Sequence, residues 1–173
     1  MIHEILSWIF SIIITVFVGV ALVMLLGMSA DVVGESMQPS LVNEQGILID
    51  RFSYTLTKPK PGHVVLFLPN GNTNSHYYTK RVVATPGDSV LIENGKLYVN
   101  GEKSEFCKDY ILEAGIASSE IILGEDEYFV MGDRPSDSED SRSSGVGPVP
   151  FGDIVGKVWY KLPCDNGKMG FVK

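Results

Sequence analysis

The chain has 173 residues, of which 14 are basic and 21 acidic, and its formal net charge at pH 7 is −7. Its lysines and arginines form no cluster, so the composition argues against nucleic acid as a partner. The two cysteines, Cys107 and Cys164, and the three histidines have no spacing typical of metal ligands, and no metal site is predicted. The cysteines could pair in an oxidising compartment or remain free thiols, and the sequence favours neither.

The first predicted element is a transmembrane helix over residues 5–26, after a short tail of residues 1–4. The segment "ILSWIFSIIITVFVGVALVMLL" has no charged residue, and at about 1.5 Å per residue it extends roughly 33 Å, enough to cross a bilayer core. A cleaved signal peptide is the alternative, but the apolar run is longer than in such peptides, and "MIHE" contains no Lys or Arg. Neither flank carries the charge bias that would predict the orientation of the helix.

Residues 27–173 are predicted to form one mainly β domain with antiparallel strands. Short runs rich in Val, Ile, Leu, Tyr and Phe alternate with Gly, Pro and Asn, a pattern typical of strands joined by turns. The predicted strands are "ILIDRF", "HVVLFLP", "YYTKRVVA", "SVLI", "KLYV", "EYFVMGD" and "DIVGKVWYKL". Asn94-Gly95 and Asn100-Gly101 flank "KLYV" and favour type I′ hairpin turns. Residues 108–123 have no clear pattern.

A candidate nucleophile lies ten residues after the predicted membrane segment. In "DVVGESMQPSL", Ser36 is followed by Met37 and Pro39, which predicts either an ordinary turn or a serine held on a stiff turn. The surrounding residues lack the second glycine of G-x-S-x-G, and no serine in the chain is followed by lysine at the third position, so both of those serine hydrolase classes are excluded.

The base for this serine could be a histidine or a lysine. His3, His63 and His76 are the histidine candidates, and the sequence excludes none of them. In "HYYTKRVVATPGD", Lys80 and Arg81 are neighbours in an apolar strand, where their side chains point to opposite faces. One of the two must therefore face the more buried side, although a solvated edge strand would also explain the pair.

A third polar segment, "MGDRPSDSEDSRSSGVGPV", follows a predicted strand. An acidic surface loop is one interpretation of its composition. Because Lys80 and Arg81 need partners of opposite charge, the acidic side chains of this segment could instead pair with them and support a functional site.

The three segments in this order resemble the type I signal peptidases, membrane-bound Ser/Lys proteases that remove signal peptides from exported proteins. The resemblance rests on "SMQPSL" at 36–41, "KRVVATPGD" at 80–88 and "GDRPSDSEDSR" at 132–142, with the apolar segment ahead of them. It implies that Ser36 is the nucleophile and Lys80 the general base. It further implies that a set of polar residues orients and braces the dyad: Ser138 by a hydrogen bond to the lysine, and Asp133, Asp140, Arg81 and Arg142 by ion pairs.

The resemblance also implies the setting and the substrate. It predicts a single-pass cell membrane protein with its catalytic domain on the extracytoplasmic side, without a cofactor. Its partners would be signal peptides of exported pre-proteins, the lipid bilayer and the protein-export machinery. Substrates of the family have small residues at the first and third positions before the cleaved bond, and the candidates for lining the pockets that accept them are Val32, Val33, Met37 and Thr79. Core packing is the alternative for the two valines.

Departures from the family pattern occur at two positions and in one segment. Some members have a serine oxyanion donor where this chain has Gly34, so backbone groups or water would have to supply that donor. Arg134-Pro135 follows Gly-Asp where the family commonly has Asn. The short stretch between Asp88 and Gly132 predicts a minimal fold without a large accessory β domain.

Two other functions fit parts of the sequence. A self-cleaving Ser/Lys peptidase related to repressors would share the dyad, but it would need a DNA-binding domain rather than an apolar N-terminal helix. A membrane-tethered binding module without turnover would have no need of Ser36 and Lys80 together.

Overall fold

The computed structural model describes residues 2–172. Helix α1 spans Ile2–Leu26, so it includes residues 2–4 of the predicted tail as well as the predicted membrane segment. Its 21-residue stretch His3–Val23 is apolar and long enough to cross a membrane, and none of it is buried against the rest of the protein. Helix α1 therefore leaves its apolar side chains free to contact lipid.

The rest of the described chain forms two antiparallel sheets, which confirms the predicted fold class. Their strands in chain order are β1 (Gly27–Asp31), β2 (Gly46–Asp50), β3 (Val64–Phe67), β4 (Tyr78–Ala84), β5 (Ser89–Glu93), β6 (Lys96–Val99), β7 (Glu102–Lys103), β8 (Ile121–Ile122), β9 (Glu127–Met131), β10 (Val149–Pro150), β11 (Ile154–Lys161) and β12 (Gly170–Phe171). A single helical turn, α2 (Ser53–Leu56), lies between β2 and β3. All seven predicted strands are present.

The larger sheet has the strand order β1-β2-β11-β3-β4-β9-β10, and β12 pairs with β11. Its central strand β3 is apolar on both faces, and all four of its residues are buried. Packing on both faces requires this composition, because a polar side chain buried there without a partner would be costly. Strand β4, which carries Lys80, lies between β3 and β9.

Strand β1 was not predicted, because "GMSAD" lacks the β-branched and aromatic residues typical of strands. It forms because all of its residues, Gly27–Asp31, pair in register with Gly46–Asp50 of β2. The chain thus passes from α1 into the larger sheet without a linker.

The smaller sheet has the order β7-β6-β5-β8 and accounts for much of the stretch between Asp88 and Gly132. Both of its Asn-Gly dipeptides have left-handed backbones, with φ of 52° and 71° at Asn94-Gly95 and 53° and 77° at Asn100-Gly101. The predicted type I′ turn conformation is therefore confirmed. The unassigned residues 108–123 form a 3-10 turn, Gly115–Ser118, and strand β8.

The two cysteines are free thiols. Cys107 is buried in the core of the smaller sheet, and burial raises the pKa of its thiol. Cys164 is partly exposed and forms an isolated bridge with Gly167 near the C-terminus.

Candidate active site

Ser36 lies in a tight turn between β1 and β2 that is anchored by apolar side chains. Met37 and Leu41 are buried in a core cluster with Val32, and the Leu41 N–H donates to the Met37 carbonyl oxygen at 2.9 Å. The Gln38-Pro39 peptide bond in the turn is cis. Only 7% of Ser36 is exposed, so the serine sits at the base of a pocket rather than on the surface.

The backbone of Ser36 is docked onto the segment that follows β9. The Arg134 N–H donates to the Ser36 carbonyl oxygen at 2.9 Å. Gly132 permits this close approach, because a Cβ atom at position 132 would lie 2.6 Å from the Ser36 carbonyl oxygen and would also collide with the Ser138 hydroxyl. A glycine at position 132 is thus required by the contact between two parts of the site.

Lys80 is the nearest basic group to the candidate nucleophile. Its Nζ lies 2.6 Å from Ser36 Oγ, and only 6% of the residue is exposed. Burial lowers the pKa of Lys80 from 10.5 to about 8, a shift that Arg142 assists and that the charges of Asp140 and Glu139 oppose. Of the two neighbours Lys80 and Arg81, Lys80 is thus the one that faces the buried serine.

The lowered pKa has a cost in stability. The unfolded chain binds the Lys80 proton between pH 8 and 10.5 where the folded chain has released it, so folding becomes more favourable as pH rises through that range. Below it the full penalty applies, and the difference from the ordinary pKa corresponds to about 3 kcal/mol.

Arg81 points to the other side of β4 and forms a bidentate ion pair with Asp133. Its Nε lies 2.6 Å from Asp133 Oδ1 and its Nη2 lies 2.7 Å from Asp133 Oδ2. The same guanidinium donates to the Gly62 carbonyl oxygen at 2.7 Å and to Ser40 Oγ at 3.1 Å. Because Ser40 belongs to the nucleophile turn, Arg81 ties that turn to β4 and to the segment after β9.

Asp140 and Arg142 form a second buried ion pair beside Lys80. Asp140 is fully buried, and it accepts from Arg142 Nε at 2.8 Å and from the Gly132 N–H at 3.0 Å. Arg142 also donates to the carbonyl oxygens of Pro135 at 2.7 Å and Glu113 at 3.1 Å. Both charges are therefore compensated by several hydrogen bonds, as buried charges must be.

Ser138 lies in the site but has a different partner from the one that the resemblance implies. Its hydroxyl donates to Asp140 Oδ2 at 2.5 Å and accepts from the Gly132 N–H at 3.2 Å. An anionic carboxylate is a stronger acceptor than a lysine amine, which explains the preference. Within residues 2–172 Ser138 makes no hydrogen bond to Lys80.

The predicted substrate-binding residues divide into two pairs. Val33 and Thr79 line a pocket of about 380 Å³ together with Ser36 and Lys80. Val32 and Met37 are instead buried in the core cluster beneath the turn. Side chains alternate in the extended chain leaving β1, so Val32 points into the core and Val33, which is 80% exposed, points away from it.

The three histidines are dispersed. His3 lies in α1, and the ring nitrogens of His63 lie 3.0 Å from the Tyr54 hydroxyl and 3.3 Å from Lys157 Nζ. His76 lines the Ser36 pocket, but within residues 2–172 it makes no hydrogen bond to Ser36. The geometry therefore favours lysine over histidine as the base.

Backbone N–H groups differ in their availability to a substrate. The Gly34 N–H is already bonded to Asn43 Oδ1 at 2.7 Å. Over the described part of the chain, the Ser36 N–H donates to no acceptor. It is a free backbone donor beside the serine oxygen.

Three residues of this site escaped the sequence interpretation. Asn43 holds the Gly34 N–H, and Arg134 pairs with Glu35 at 2.9 Å and with Asp137 at 3.1 Å. Glu139 accepts from the Tyr78 hydroxyl at 2.9 Å. Asn43 lies just after the serine segment, and Glu139 lies within the third polar segment. Their partners could not be predicted, because tertiary packing and not a local pattern brings them together.

The chain matches the family described as "Signal peptidase, peptidase S26" over residues 5–162. It is 31% identical to signal peptidase IB of Staphylococcus aureus (strain COL), covering 97% of this chain and 95% of the relative. It is 34% identical to signal peptidase I P of Bacillus subtilis subsp. natto over 71% of this chain and 70% of the relative. A crystal structure of a signal peptidase I from Enterococcus faecalis V583 aligns with a TM-score of 0.45 and 26% identity, covering 59% of this chain and 97% of that one.

These matches decide between the functional classes. The chain belongs to the signal peptidase family, peptidase S26. It is accordingly a serine peptidase rather than a binding module without turnover, as the sequence predicted. Family membership and the apolar α1 together indicate a membrane-anchored enzyme.

Replacing Gly132 by Ala should lower both activity and stability. The added methyl group would displace the Ser36 carbonyl oxygen and the Ser138 hydroxyl, and such overpacking typically costs about 1–3 kcal/mol. Gly152→Ala is the matched control, since nothing lies within 4 Å of a Cβ atom there. Cleavage rates and melting temperatures in detergent measure the effect, and equal behaviour of the two variants would contradict it.

Breaking the Asp140–Arg142 pair should destabilise the fold. Asp140→Asn or Arg142→Ala leaves one buried charge uncompensated, at a cost of about 3 kcal/mol. Glu35→Gln is the control, because the Glu35–Arg134 pair is exposed, with 57% and 41% of the two side chains accessible, and should change stability by less than about 1 kcal/mol. Denaturant unfolding measures all three variants. Unchanged unfolding of Asp140→Asn together with lost activity would instead give Asp140 a direct role in the chemistry.

Proposed function

We propose that Ser36 and Lys80 form the catalytic dyad with which this signal peptidase removes signal peptides from exported pre-proteins. The observation that carries the proposal is the 2.6 Å contact between Lys80 Nζ and Ser36 Oγ. Burial lowers the pKa of Lys80 to about 8, so a useful fraction of the amine is neutral near physiological pH and can accept a proton.

The chemistry then runs through an acyl-enzyme. The Ser36 proton passes to Lys80 Nζ while Ser36 Oγ bonds to the carbonyl carbon of the cleaved peptide bond. When the intermediate collapses, the C–N bond breaks and the Lys80 ammonium protonates the departing amine. Water then attacks the ester carbonyl and gives a proton to Lys80. When the ester bond breaks, this proton passes to Ser36 Oγ and restores the dyad.

The oxyanion of this intermediate needs preorganised donors. The Ser36 N–H supports this role, because over residues 2–172 it has no other acceptor. The Gly34 N–H is not available to bind the oxyanion, because it already donates to Asn43 Oδ1. A backbone donor held in a fixed turn costs little reorganisation during the reaction.

The proposal places α1 across the cell membrane as a single span, with the β domain on the extracytoplasmic side. Exported pre-proteins emerge there from the protein-export machinery, and their cleavage sites lie close to the bilayer. The direct passage from α1 into β1 supports this arrangement, because it keeps the catalytic domain next to the membrane.

Small residues before the cleaved bond would occupy the Ser36 pocket. Its walls include Val33, Thr79 and the aromatic residues Tyr77 and Tyr78. The buried Thr79 in this wall supports the family preference for small side chains, since a packed residue resists additional volume.

Ser36→Ala should abolish cleavage of a pre-protein in detergent and leave the β-rich fold intact, because only the attacking oxygen is lost. His76→Ala is the matched variant in the same pocket and should retain most of the activity. Cleavage assays with circular dichroism measure both. Turnover of Ser36→Ala near the wild-type rate would remove Ser36 from the mechanism, and equal inactivation by His76→Ala would replace lysine by histidine as the base.

Removing α1 should impair cleavage of membrane-inserted substrates far more than cleavage of soluble ones. A shortened chain that begins at Gly27 retains β1 and every residue assigned to the chemistry, so it should still cleave a soluble peptide with Ala at both specificity positions. It loses the high effective concentration that tethering provides. The ratio of kcat/KM values for the two enzymes on each substrate measures the effect.

A peptide with Leu next to the bond serves as the control for that comparison, and neither enzyme should cleave it appreciably. Equal losses on soluble and inserted substrates would show that α1 supports folding rather than positioning.

A further inference from the structure

We propose that Glu139 is a positioning residue that holds Tyr78 beside Lys80 and, through its charge, sets the pH range in which the dyad is active. The inference deepens the proposed function and rests on it. Glu139 lies between two residues of the buried Ser138–Asp140–Arg142 network, but its own side chain points to the Ser36 pocket.

The geometry connects Glu139 to the lysine through one aromatic ring. The Tyr78 hydroxyl donates to Glu139 Oε2 at 2.9 Å. Lys80 Nζ lies 5.7 Å from the centroid of the Tyr78 ring, within the range of a cation–π interaction. That interaction stabilises the ammonium form of Lys80 and not the neutral amine.

Among the described charged residues near Lys80, Glu139 has no partner of opposite charge. Asp140 and Arg142 form a close ion pair, so Arg142 offsets part of the effect of Asp140 on Lys80. Among the described residues Glu139 pairs with no cation and accepts only from a neutral phenol. The net charge that these three side chains present to Lys80 is therefore negative.

The remaining groups around Lys80 do not change this balance. Ser36 faces it from the nucleophile turn, and the ion pair of Arg81 and Asp133 lies on the other face of β4. Asp137 and His76 line the same pocket. Asp137 is paired with Arg134 at 3.1 Å.

The electrostatic causes acting on Lys80 agree with this geometry. Burial lowers its pKa, whereas the carboxylates of Asp140 and Glu139 raise it and Arg142 lowers it. The Glu139 carboxylate also raises the pKa of the Tyr78 hydroxyl, chiefly through their hydrogen bond, which keeps Tyr78 neutral as a donor. Removing the charge of Glu139 should therefore lower the pKa of Lys80 further.

The test is a charge series at position 139 in the full-length enzyme in detergent. The acidic limb of kcat/KM against pH is measured on a soluble peptide in a His76→Ala background, which leaves no histidine among the described residues that line the pocket. Glu139→Gln keeps an acceptor for Tyr78 but removes the charge, and its limb should move to lower pH by about 0.3–0.7 of a unit, typical of an exposed charge. Glu139→Lys should move the limb about twice as far.

Activity on the acidic side should rise accordingly. One pH unit below the wild-type limb, Glu139→Gln should be about two- to fourfold more active than the parent. The shift should shrink in high salt, because an exposed charge is screened. Asp137→Asn is the matched control in the same pocket, and its limb should move less than that of Glu139→Gln because Asp137 has a cationic partner in Arg134.

An unmoved limb in Glu139→Gln and Glu139→Lys, or an equal shift in Asp137→Asn, would overturn the role of Glu139 while leaving the dyad intact. Tyr78→Phe tests the positioning part of the proposal separately from the effect of the Glu139 charge. Without the hydrogen bond the Glu139 carboxylate is free to move, so the acidic limb of kcat/KM against pH should shift in this variant as well. A limb in Tyr78→Phe identical to that of the parent would overturn the positioning part. Full activity of Lys80→Ala would overturn the proposed function itself.

Discussion

The burial of one amine beside one hydroxyl is the constraint on which the rest of this structure depends. Lys80 must lie out of water to serve as a base, because its ordinary pKa would keep it protonated at neutral pH. The fold must absorb a penalty of about 3 kcal/mol for this burial, a large fraction of the free energy of unfolding of a typical domain. The buried, mainly apolar strands on either side of β4 supply a core that can tolerate it.

Two ion pairs on opposite sides of β4 hold this arrangement in place. Arg81 and Asp133 fasten the strand to the nucleophile turn through Ser40, while Asp140 and Arg142 organise the segment after β9. Gly132 lies between the two pairs and lets the Ser36 backbone dock against that segment. In the proposed mechanism these supporting residues act on one distance, that between Lys80 Nζ and Ser36 Oγ, and not on the chemistry directly.

The sequence predicted the parts of the fold and site that local patterns encode. Alternating β-branched and aromatic residues, together with the Asn-Gly turns, located seven of the strands. They missed β1, whose sequence is "GMSAD", and the two-residue strands β7, β8, β10 and β12, because these segments are too short or too poor in such residues to show a pattern. The neighbours Lys80 and Arg81 were expected to point to opposite faces, and they do. The family resemblance, and not the strand period alone, predicted that Lys80 would face the serine.

Side-chain environments were harder to predict. Val32 and Met37 pack into the core because the turn folds back over β2 and β11, a tertiary effect that no run of residues reveals. The preference of Ser138 for Asp140 depends on a carboxylate brought within reach by a bend of the segment after β9. Glu139 had no special pattern within an acidic stretch, and only the position of Tyr78 distinguishes it.

Direct titration of the Lys80 side chain tests the central claim most closely. The enzyme in detergent would be labelled with 13C at the lysine Cε atoms, and the Lys80 resonance assigned by its loss in Lys80→Arg. Its chemical shift followed against pH should give a midpoint near 8, well below the ordinary value of about 10.4 expected for solvated lysines. A midpoint for Lys80 that coincides with those of the solvated lysines would contradict the account, because the buried amine would then be a cation at neutral pH and could not accept the Ser36 proton.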